Sequence, residues 1–310
     1  MIVTTRFPDL PPQPETAANA AFRRRFFARW GQENSVFLAS TRGAEYGPLP
    51  TALSFKAVLD GQVAVRLGRR RLVMGPGEFL LVNPGQTYGF SIRSDVPVRC
   101  FSVQVRDDLA RELAAEACQG LDDALVGPRP GAGVEVAERL AELRAPLRGA
   151  LARLVQQVQQ GAALADIEAG FIELVGSALR QDRAARAHAL RSLDAVRPAT
   201  RAELARRVGW AADFLRSHHG QAIGLAEVAA AAHLSRFHLL RAFRQVHRCT
   251  PQQFLQQLRL RSALRLLDDP ALDLQTVAAR SGFGSRWTLQ RALRSRLATT
   301  GQAWRARAPA

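Results

Sequence analysis

The feature that most constrains this chain is an internal repeat near its carboxyl end. Residues 235–254, shifted by 50 positions, align with residues 285–304 and share eight identities over 20 positions. The identical pairs are Ser235/Ser285, Arg236/Arg286, Leu239/Leu289, Arg241/Arg291, Ala242/Ala292, Arg244/Arg294, Thr250/Thr300 and Gln252/Gln302. Only two copies occur, whereas a solenoid stacks three or more. The repeat therefore predicts a tandem pair of one small helical module.

Each copy has the residue order of a helix-turn-helix. In the first copy, residues 225–232 predict a short alanine-rich helix, residues 233–234 a turn, and Ser235 the N-cap of a second helix. Residues 273–285 repeat this order, with Asp273 and Ser285 as the two caps. We therefore expect an all-α domain over residues 205–310 that contains two helix-turn-helix motifs.

The helix after each serine has two faces. Leu239 and Phe243 lie four positions apart, as a core-facing side requires, and Leu289 and Leu293 match them in the second copy. The candidate DNA-binding side chains lie on the other face: Arg236, Phe237, Leu240, Arg241, Arg244, Arg286, Trp287, Gln290, Arg291 and Arg294. Arginine pairs with guanine, glutamine with adenine, and an aromatic ring contacts the thymine methyl group. The pattern predicts two recognition helices for the DNA major groove; the alternative is a charged, solvated helix in a bundle.

Charge supports the same interpretation. The chain has 43 basic and 27 acidic residues, but residues 191–310 hold 20 of the basic ones and only 7 of the acidic ones. A domain with such an excess of basic over acidic residues attracts polyanions, and arginine–phosphate contacts supply sequence-independent DNA affinity. All basic residues but Lys56 are arginine, so coding bias is an alternative source of part of the excess.

The amino-terminal half has a different pattern. Residues 47–105 alternate short apolar runs with turns such as Asp60-Gly61, which predicts a small β-sandwich or barrel. Residues 136–158 and 164–179 then carry apolar stripes at helical spacing, which could cover the barrel or pair with a second subunit. The expected fold class is α+β, with domain 1 over residues 1–185, a linker over 186–204 and the helical domain over 205–310.

Several motifs resemble the AraC/XylS family of bacterial transcription regulators. They are Leu-Ala-Glu-Val-Ala-Ala from Leu225, Thr-Pro-x-x-Phe from Thr250, Val-Ala-x-x-x-Gly-Phe from Val277, and Leu-Leu-Val-Asn-Pro-Gly-Gln-x-Tyr from Leu80. The resemblance implies two helix-turn-helix motifs joined by one long helix, about Pro251–Leu267, on successive major grooves of double-stranded DNA. It also implies a cupin-like domain that binds a small-molecule effector and forms a homodimer, and activation through contact with RNA polymerase.

The chain departs from the family pattern at a few positions. Arg248 and Ala298 stand where the family usually has glycine, and Gly301 stands where it has proline. A residue that follows a helix in the left-handed conformation favours glycine. We therefore expect backbone strain at Arg248 and Ala298 if the family's turn geometry is retained.

Cupin-like barrels also occur in metal-dependent enzymes, so catalysis is an alternative to regulation. All six histidines lie beyond the predicted barrel, which leaves it without the imidazole ligands of a catalytic metal. We therefore expect a regulator rather than an enzyme, with no metal and no cofactor. A second alternative keeps DNA binding but gives the barrel only a dimerisation or partner-binding role.

If the barrel binds an effector, aromatic and arginine side chains near its strands are the candidates. These are Trp30, Arg42, Tyr46, Arg66, Tyr88 and Phe90, each of which could equally be structural. Three scattered cysteines argue against a disulfide framework, and no signal peptide or membrane span is evident in the pattern. The expected compartment is the cytoplasm.

Overall fold

A computed structural model describes residues 1–5, 32–118 and 134–306 of the chain. The chain divides into two compact units, Met1–Arg191 and Ser192–Ala310. The first contains all the described strands and the second is helical, so the predicted α+β class is confirmed.

One eight-stranded sheet forms the centre of the first unit. Its strands are β1 (Ile2–Thr4), β2 (Ser35–Pro50), β3 (Ser54–Asp60), β4 (Val63–Leu67), β5 (Arg70–Met74), β6 (Glu78–Val82), β7 (Thr87–Gln104) and β8 (Leu140–Glu142). The main path runs β1-β2-β7-β3-β6-β8, while β4 pairs with both β5 and β7. The long strand β7 pairs along one edge with β2 and along the other with β4 and then β3.

The first unit is rich in β-strands, as predicted, but its described strands do not close into a barrel. Strands β1 and β8 end the path, and these two strands do not pair with each other. Strand β4 shows the alternation that suggested a barrel, with buried and exposed residues in turn. Such alternation follows from any sheet with one buried face, whereas closure depends on pairing between the end strands, which local pattern does not report.

Within the described residues, three helices accompany the sheet: α1 (Asp107–Glu116), α2 (Ala145–Gln160) and α3 (Leu164–Ser192). The apolar stripes of α2 and α3 are buried in the same cluster as Phe55, Phe79 and Phe101 of the sheet. The stripes therefore cover one face of the sheet, as one of the two sequence interpretations expected. A second apolar cluster occupies the other side, with Val58, Leu80 and Tyr88 among its members.

The predicted linker over 186–204 is mostly helical. Helix α3 continues to Ser192, α4 begins at Pro198, and only residues 193–197 lie outside helices. Alanine and arginine are good helix formers, and Pro198 lies in the first turn of α4, where its missing N–H costs no hydrogen bond. Composition alone suggested a linker because it is polar and contains a proline.

The second unit contains seven helices among its described residues. They are α4 (Pro198–His218), α5 (Leu225–Ala231), α6 (Arg236–His247), α7 (Pro251–Leu267), α8 (Leu274–Arg280), α9 (Arg286–Leu297) and α10 (Gly301–Arg305). No helix in the described ranges is both long enough and apolar enough to cross a lipid bilayer.

Candidate nucleic-acid interface

Both predicted recognition helices begin at the expected serines. The His238 amide donates to Ser235 Oγ at 3.2 Å, and the Thr288 amide donates to Ser285 Oγ at 3.2 Å. The inner faces are also as predicted, since Leu239, Phe243, Leu289 and Leu293 are all fully buried. Helices α6 and α9 are therefore copies of one element with the same cap and the same core face.

The outer faces carry an aromatic side chain at matching positions. Phe237 is 71% exposed and Trp287 is 72% exposed, and they are the only exposed Phe or Trp side chains in the described ranges. Large exposed aromatic groups often mark binding surfaces because water contact with them is unfavourable. The Arg286 guanidinium lies 5.1 Å from the centroid of the Trp287 ring, so cation and ring form one composite surface.

The ten predicted DNA-binding residues all lie on α6 or α9. Eight of them are exposed, while Leu240 and Gln290 are only partly so. Leu240 and Gln290 occupy equivalent positions of the repeat, close to the buried face of each helix. Less of each side chain is therefore available to contact a base edge than the sequence suggested. The six arginines are Arg236, Arg241, Arg244, Arg286, Arg291 and Arg294, three on each helix.

An acidic side chain that sequence reasoning missed lies against α6. Asp194, in the segment between α3 and α4, accepts a hydrogen bond from Gln245 Nε2, and its Oδ2 lies 3.8 Å from Arg241 Nη2. Both ionic partners are largely exposed, so this pair contributes little stability. It does bring a negative charge beside a predicted DNA-binding arginine.

The long helix α7 joins the two motifs, as the family resemblance implied. It starts with a capping box in which the Gln253 amide donates to Thr250 Oγ1 at 3.1 Å and the Thr250 amide donates to Gln253 Oε1 at 2.9 Å. Pro251 occupies the first turn, where no amide donor is needed.

Arg259 in the middle of α7 binds the chain at the end of α4 by hydrogen bonds. Its Nε donates to the carbonyl of His219 at 2.9 Å, and its Nη2 donates to the carbonyl of Gln221 at 2.7 Å. Burial lowers the pKa of this guanidinium from its ordinary value. Gly282 lies against the same carbonyl, since a Cβ atom there would be 2.3 Å from the His219 oxygen. The end of α4 is thus held to both the linking helix and the second turn.

The predicted effector-binding residues are only partly brought together. Tyr46 and Phe90 stack with ring centroids 5.6 Å apart, and Tyr88 lies 6.2 Å from Phe90. Arg42 and Arg66 are exposed instead, because they occupy outward-facing positions of their strands. The sixth candidate, Trp30, lies outside the described residues.

Sequence reasoning missed the buried cation beside this aromatic group. Lys56 of β3 is 7% exposed, donates from Nζ to Ser102 Oγ at 2.7 Å, and lies 4.9 Å from the centroid of the Tyr88 ring. Burial lowers the pKa of Lys56 to about 7 and raises that of Tyr88 above its ordinary range. The available signal was that Lys56 is the only lysine of the chain, in an otherwise apolar strand. In the described ranges, no group of three His, Cys, Asp or Glu side chains is placed to hold a metal ion.

Comparisons with known proteins cover both units. A family profile described as an AraC-like ligand binding domain matches residues 52–193, and a profile described as a helix-turn-helix domain matches residues 228–307. A search of the curated proteins finds no match.

Among solved structures, the chain is similar to the DNA-binding domain of AdpA, a global transcriptional factor, in complex with a target DNA. The identity is 33%, over 33% of this chain and 89% of that chain, with a TM-score of 0.29. An AraC-type regulator from Chromobacterium violaceum is 22% identical over 32% and 89% of the two chains, with a TM-score of 0.31. ToxT from Vibrio cholerae, bound to an unsaturated fatty acid, is 11% identical over 86% and 93%, with a TM-score of 0.35.

The two profiles and the paired helix-turn-helix motifs define a DNA-binding transcription regulator with a separate ligand-binding domain, not an enzyme. The chain belongs to the AraC family of regulators.

Proposed function

We propose that α6 and α9 enter two successive major grooves of one DNA duplex and read its sequence, and that a small molecule bound by the first unit controls this binding. The observation that carries the proposal is the matched pair of exposed aromatic side chains, Phe237 and Trp287, each on a helix with at least three arginines. An aromatic ring on such a helix can contact thymine methyl groups, while neighbouring arginines contact guanine or phosphate.

The two helices differ in what they offer to base edges. At equivalent positions α6 has Leu240 and α9 has Gln290, so at this position only the second copy carries an amide that can pair with adenine. Arg241 lies beside the carboxylate of Asp194. Among the described residues, no acidic side chain contacts Arg291, its equivalent in the second copy. We expect the α9 half-site to be the more stringent in sequence.

Selection of bound duplexes from random DNA tests the proposal. The full-length protein is used at about 150 mM salt, which weakens nonspecific phosphate attraction. The expected result is a site with two elements about one helical turn apart. The double variant Phe237→Ala/Trp287→Ala should lose this preference, whereas Arg71→Ala, an exposed charge change in the first unit, should keep it. A site with one element, or equal enrichment by both variants, would overturn the two-helix assignment.

Three further parts of the proposal follow from the family. We propose that the protein acts as a homodimer, that the first unit supplies the dimer contact, and that it activates transcription through RNA polymerase in the cytoplasm. Sedimentation of the full chain, with and without the operator found by selection, tests the dimer. Transcription with purified polymerase from a template that carries this operator tests activation, and a fall in transcript would indicate a repressor.

A further inference from the structure

Lys56 is placed where a lysine is costly unless it serves a ligand. It lies in β3 between β6 and β7, opposite Leu80 on one side and Ser102 on the other. Its neighbours Phe55 and Ala57 point into the cluster under the helices, so Lys56 points to the opposite face. A buried cation without a counter-charge loses hydration that the protein must replace.

The described surroundings of Lys56 replace little of that hydration. Its polar contact in the described ranges is the Ser102 hydroxyl, and its ring contact is Tyr88. No carboxylate there pairs with it, and burial is the cause of its lowered pKa. An ammonium group has three donors, so one contact to Ser102 leaves two for another acceptor.

The side chains around Lys56 form a polar strip inside an apolar cluster. Ser54 and Gln104 are buried in the next cross-strand row, and they face each other across β3 and β7. Apolar and aromatic groups border the strip, with Val58, Leu80 and Val82 on the strands and Tyr88 and Phe90 beside them. One end of a ligand could thus meet polar groups while the remainder met apolar ones.

We propose that Lys56, Ser102 and Tyr88 form the subsite for the carboxylate of a small organic acid with an apolar body. The inference rests on the proposed function in one respect, namely that the first unit binds an effector, and it adds the effector's chemical class. A carboxylate accepts from the two free donors of Lys56 and can also accept from Ser102 Oγ. The stacked Tyr46 and Phe90 rings offer an apolar surface to the apolar body of the ligand.

The charge of the site sets the charge of the ligand. Lys56 is the one lysine of the chain, and the two arginine candidates for effector binding, Arg42 and Arg66, are exposed. A single buried cation matches a monocarboxylate, whereas a dicarboxylate or a phosphate dianion would leave a negative charge unmatched in an apolar surrounding. Neutral sugars and alcohols would leave the ammonium group without a counter-charge.

Binding of an acid should also change the protonation of Lys56. The titratable groups nearest Lys56 on the flanking strands are Tyr88 and Cys100 of β7, both kept neutral by burial, and Glu78 of β6, whose Oε2 accepts from the Gly75 amide at 3.3 Å. Of the other charged residues of β7, Arg93 and Asp95 are exposed and Arg99 pairs with Asp60. None of these supplies a negative charge in contact with the Lys56 ammonium. A bound carboxylate would supply one, so it should raise the pKa of Lys56 and draw a proton from solution near neutral pH.

The single lysine makes the test direct. Full-length protein labelled with 15N at the lysine side chain gives one Nζ resonance, and its position reports protonation. The probes are benzoate and octanoate, with benzamide and octanol as neutral controls, each up to about 10 mM, which exceeds the Kd of even a millimolar site. We expect the free protein to titrate near pH 7, and an acid to raise that midpoint by at least about one pH unit. The neutral controls should leave it unchanged.

Calorimetry with Lys56→Met separates recognition from folding. The Lys56→Met variant should still unfold in one cooperative thermal transition but bind the effective acid at least about tenfold more weakly, and Ser102→Ala should weaken acid binding less. Arg71→Ala serves as the matched loss of an exposed positive charge and should bind normally. If neither acid moves the Lys56 resonance, or if Lys56→Met binds as tightly as the parent, the carboxylate subsite is wrong. Recovery of an operator in that case would leave the DNA-binding proposal intact, so the two failures are distinguishable.

Discussion

Arg248 and Ala298, fifty positions apart, end the two recognition helices in the same left-handed conformation, with φ angles of 56° and 48°. This is the geometry in which the sequence predicted strain, because a Cβ atom makes it unfavourable by roughly 1–2 kcal/mol. The helices end there all the same, since the Arg248 and Ala298 amides donate to the carbonyls of Arg244 and Arg294. Backbone hydrogen bonding thus outweighs the cost of the side chain.

Glycine at either position should stabilise the second unit. We expect Arg248→Gly and Ala298→Gly each to raise the free energy of unfolding by about 0.5–1 kcal/mol, because both side chains are exposed and little packing is lost. Urea unfolding of the full chain measures the change. Ser295→Gly, at an exposed position inside α9, is the matched control and should lower stability by a similar amount.

Gly282 and Gly284 form a second matched pair. Gly282 has a φ of +83°, and a Cβ atom there would meet the His219 carbonyl oxygen, whereas a Cβ at Gly284 has nothing within 4 Å. We expect Gly282→Ala to lower the free energy of unfolding by about 2 kcal/mol or more and Gly284→Ala to change it by less than about 0.5 kcal/mol. Equal effects in thermal unfolding would contradict the close approach of α4 to this turn.

Arg291 and Arg294 are predicted to have different roles on DNA. Arg291→Ala should cost about 1–3 kcal/mol at the selected site and relax the preference at one or two positions. Arg294→Ala should weaken binding to every sequence and reduce the salt dependence by about one charge. Fluorescence anisotropy over a salt series measures the affinity and the salt dependence of each variant, with Arg71→Ala as the control. If the two variants behave alike, the proposed difference in role between Arg291 and Arg294 is wrong.

The stability of the first unit should depend on pH through Lys56. Its pKa is lowered to about 7 in the folded chain, against about 10.4 when unfolded, so the unfolded state binds more protons between these values. By linkage, this lysine makes the free energy of unfolding rise with pH above about 7. Burial also raises the pKa of Cys100 to about 12, which has the opposite effect once an unfolded thiol ionises near pH 8.5.

Comparison with Lys56→Met isolates the lysine contribution. The variant should be more stable than the parent at pH 7, and its advantage should shrink by about 1–2 kcal/mol between pH 7 and 8.5, since one proton contributes at most about 1.4 kcal/mol per pH unit. Urea unfolding at a series of pH values tests this. A constant difference across that range would show that Lys56 keeps its proton.

Removal of the first unit should separate DNA binding from dimerisation. A fragment of residues 192–310 begins at the boundary of the helical unit and contains all seven described helices from α4 to α10. We expect it to bind the selected DNA as a monomer and to lack any response to an effector. Analytical ultracentrifugation measures the oligomeric state of the fragment. A fragment that stays dimeric would place the dimer contact in the helical unit.

The sequence was most informative where structure depends on neighbours along the chain. Ser235 and Ser285 cap the helices that they were expected to cap, and the long helix starts at Pro251 as predicted. A cap bonds an amide three positions away, and a core stripe repeats every three or four residues. Helix caps and apolar stripes can therefore be predicted from a short stretch of sequence. The 50-residue repeat shows each of them twice, which supports the prediction.

Contacts between distant segments decided the remainder. The open edges of the sheet depend on which strands pair, and the burial of Lys56 depends on β6 and β7, the latter pairing it with a residue 46 positions away. The connection at 193–197 is only five residues long because α3 continues to Ser192 and α4 begins at Pro198. The sequence by itself thus determined the repeated modules, their caps and their charge, because these arise from local hydrogen bonding and periodicity. Only the tertiary structure decided the sheet closure and the buried cation, because both arise from pairings that local periodicity does not encode.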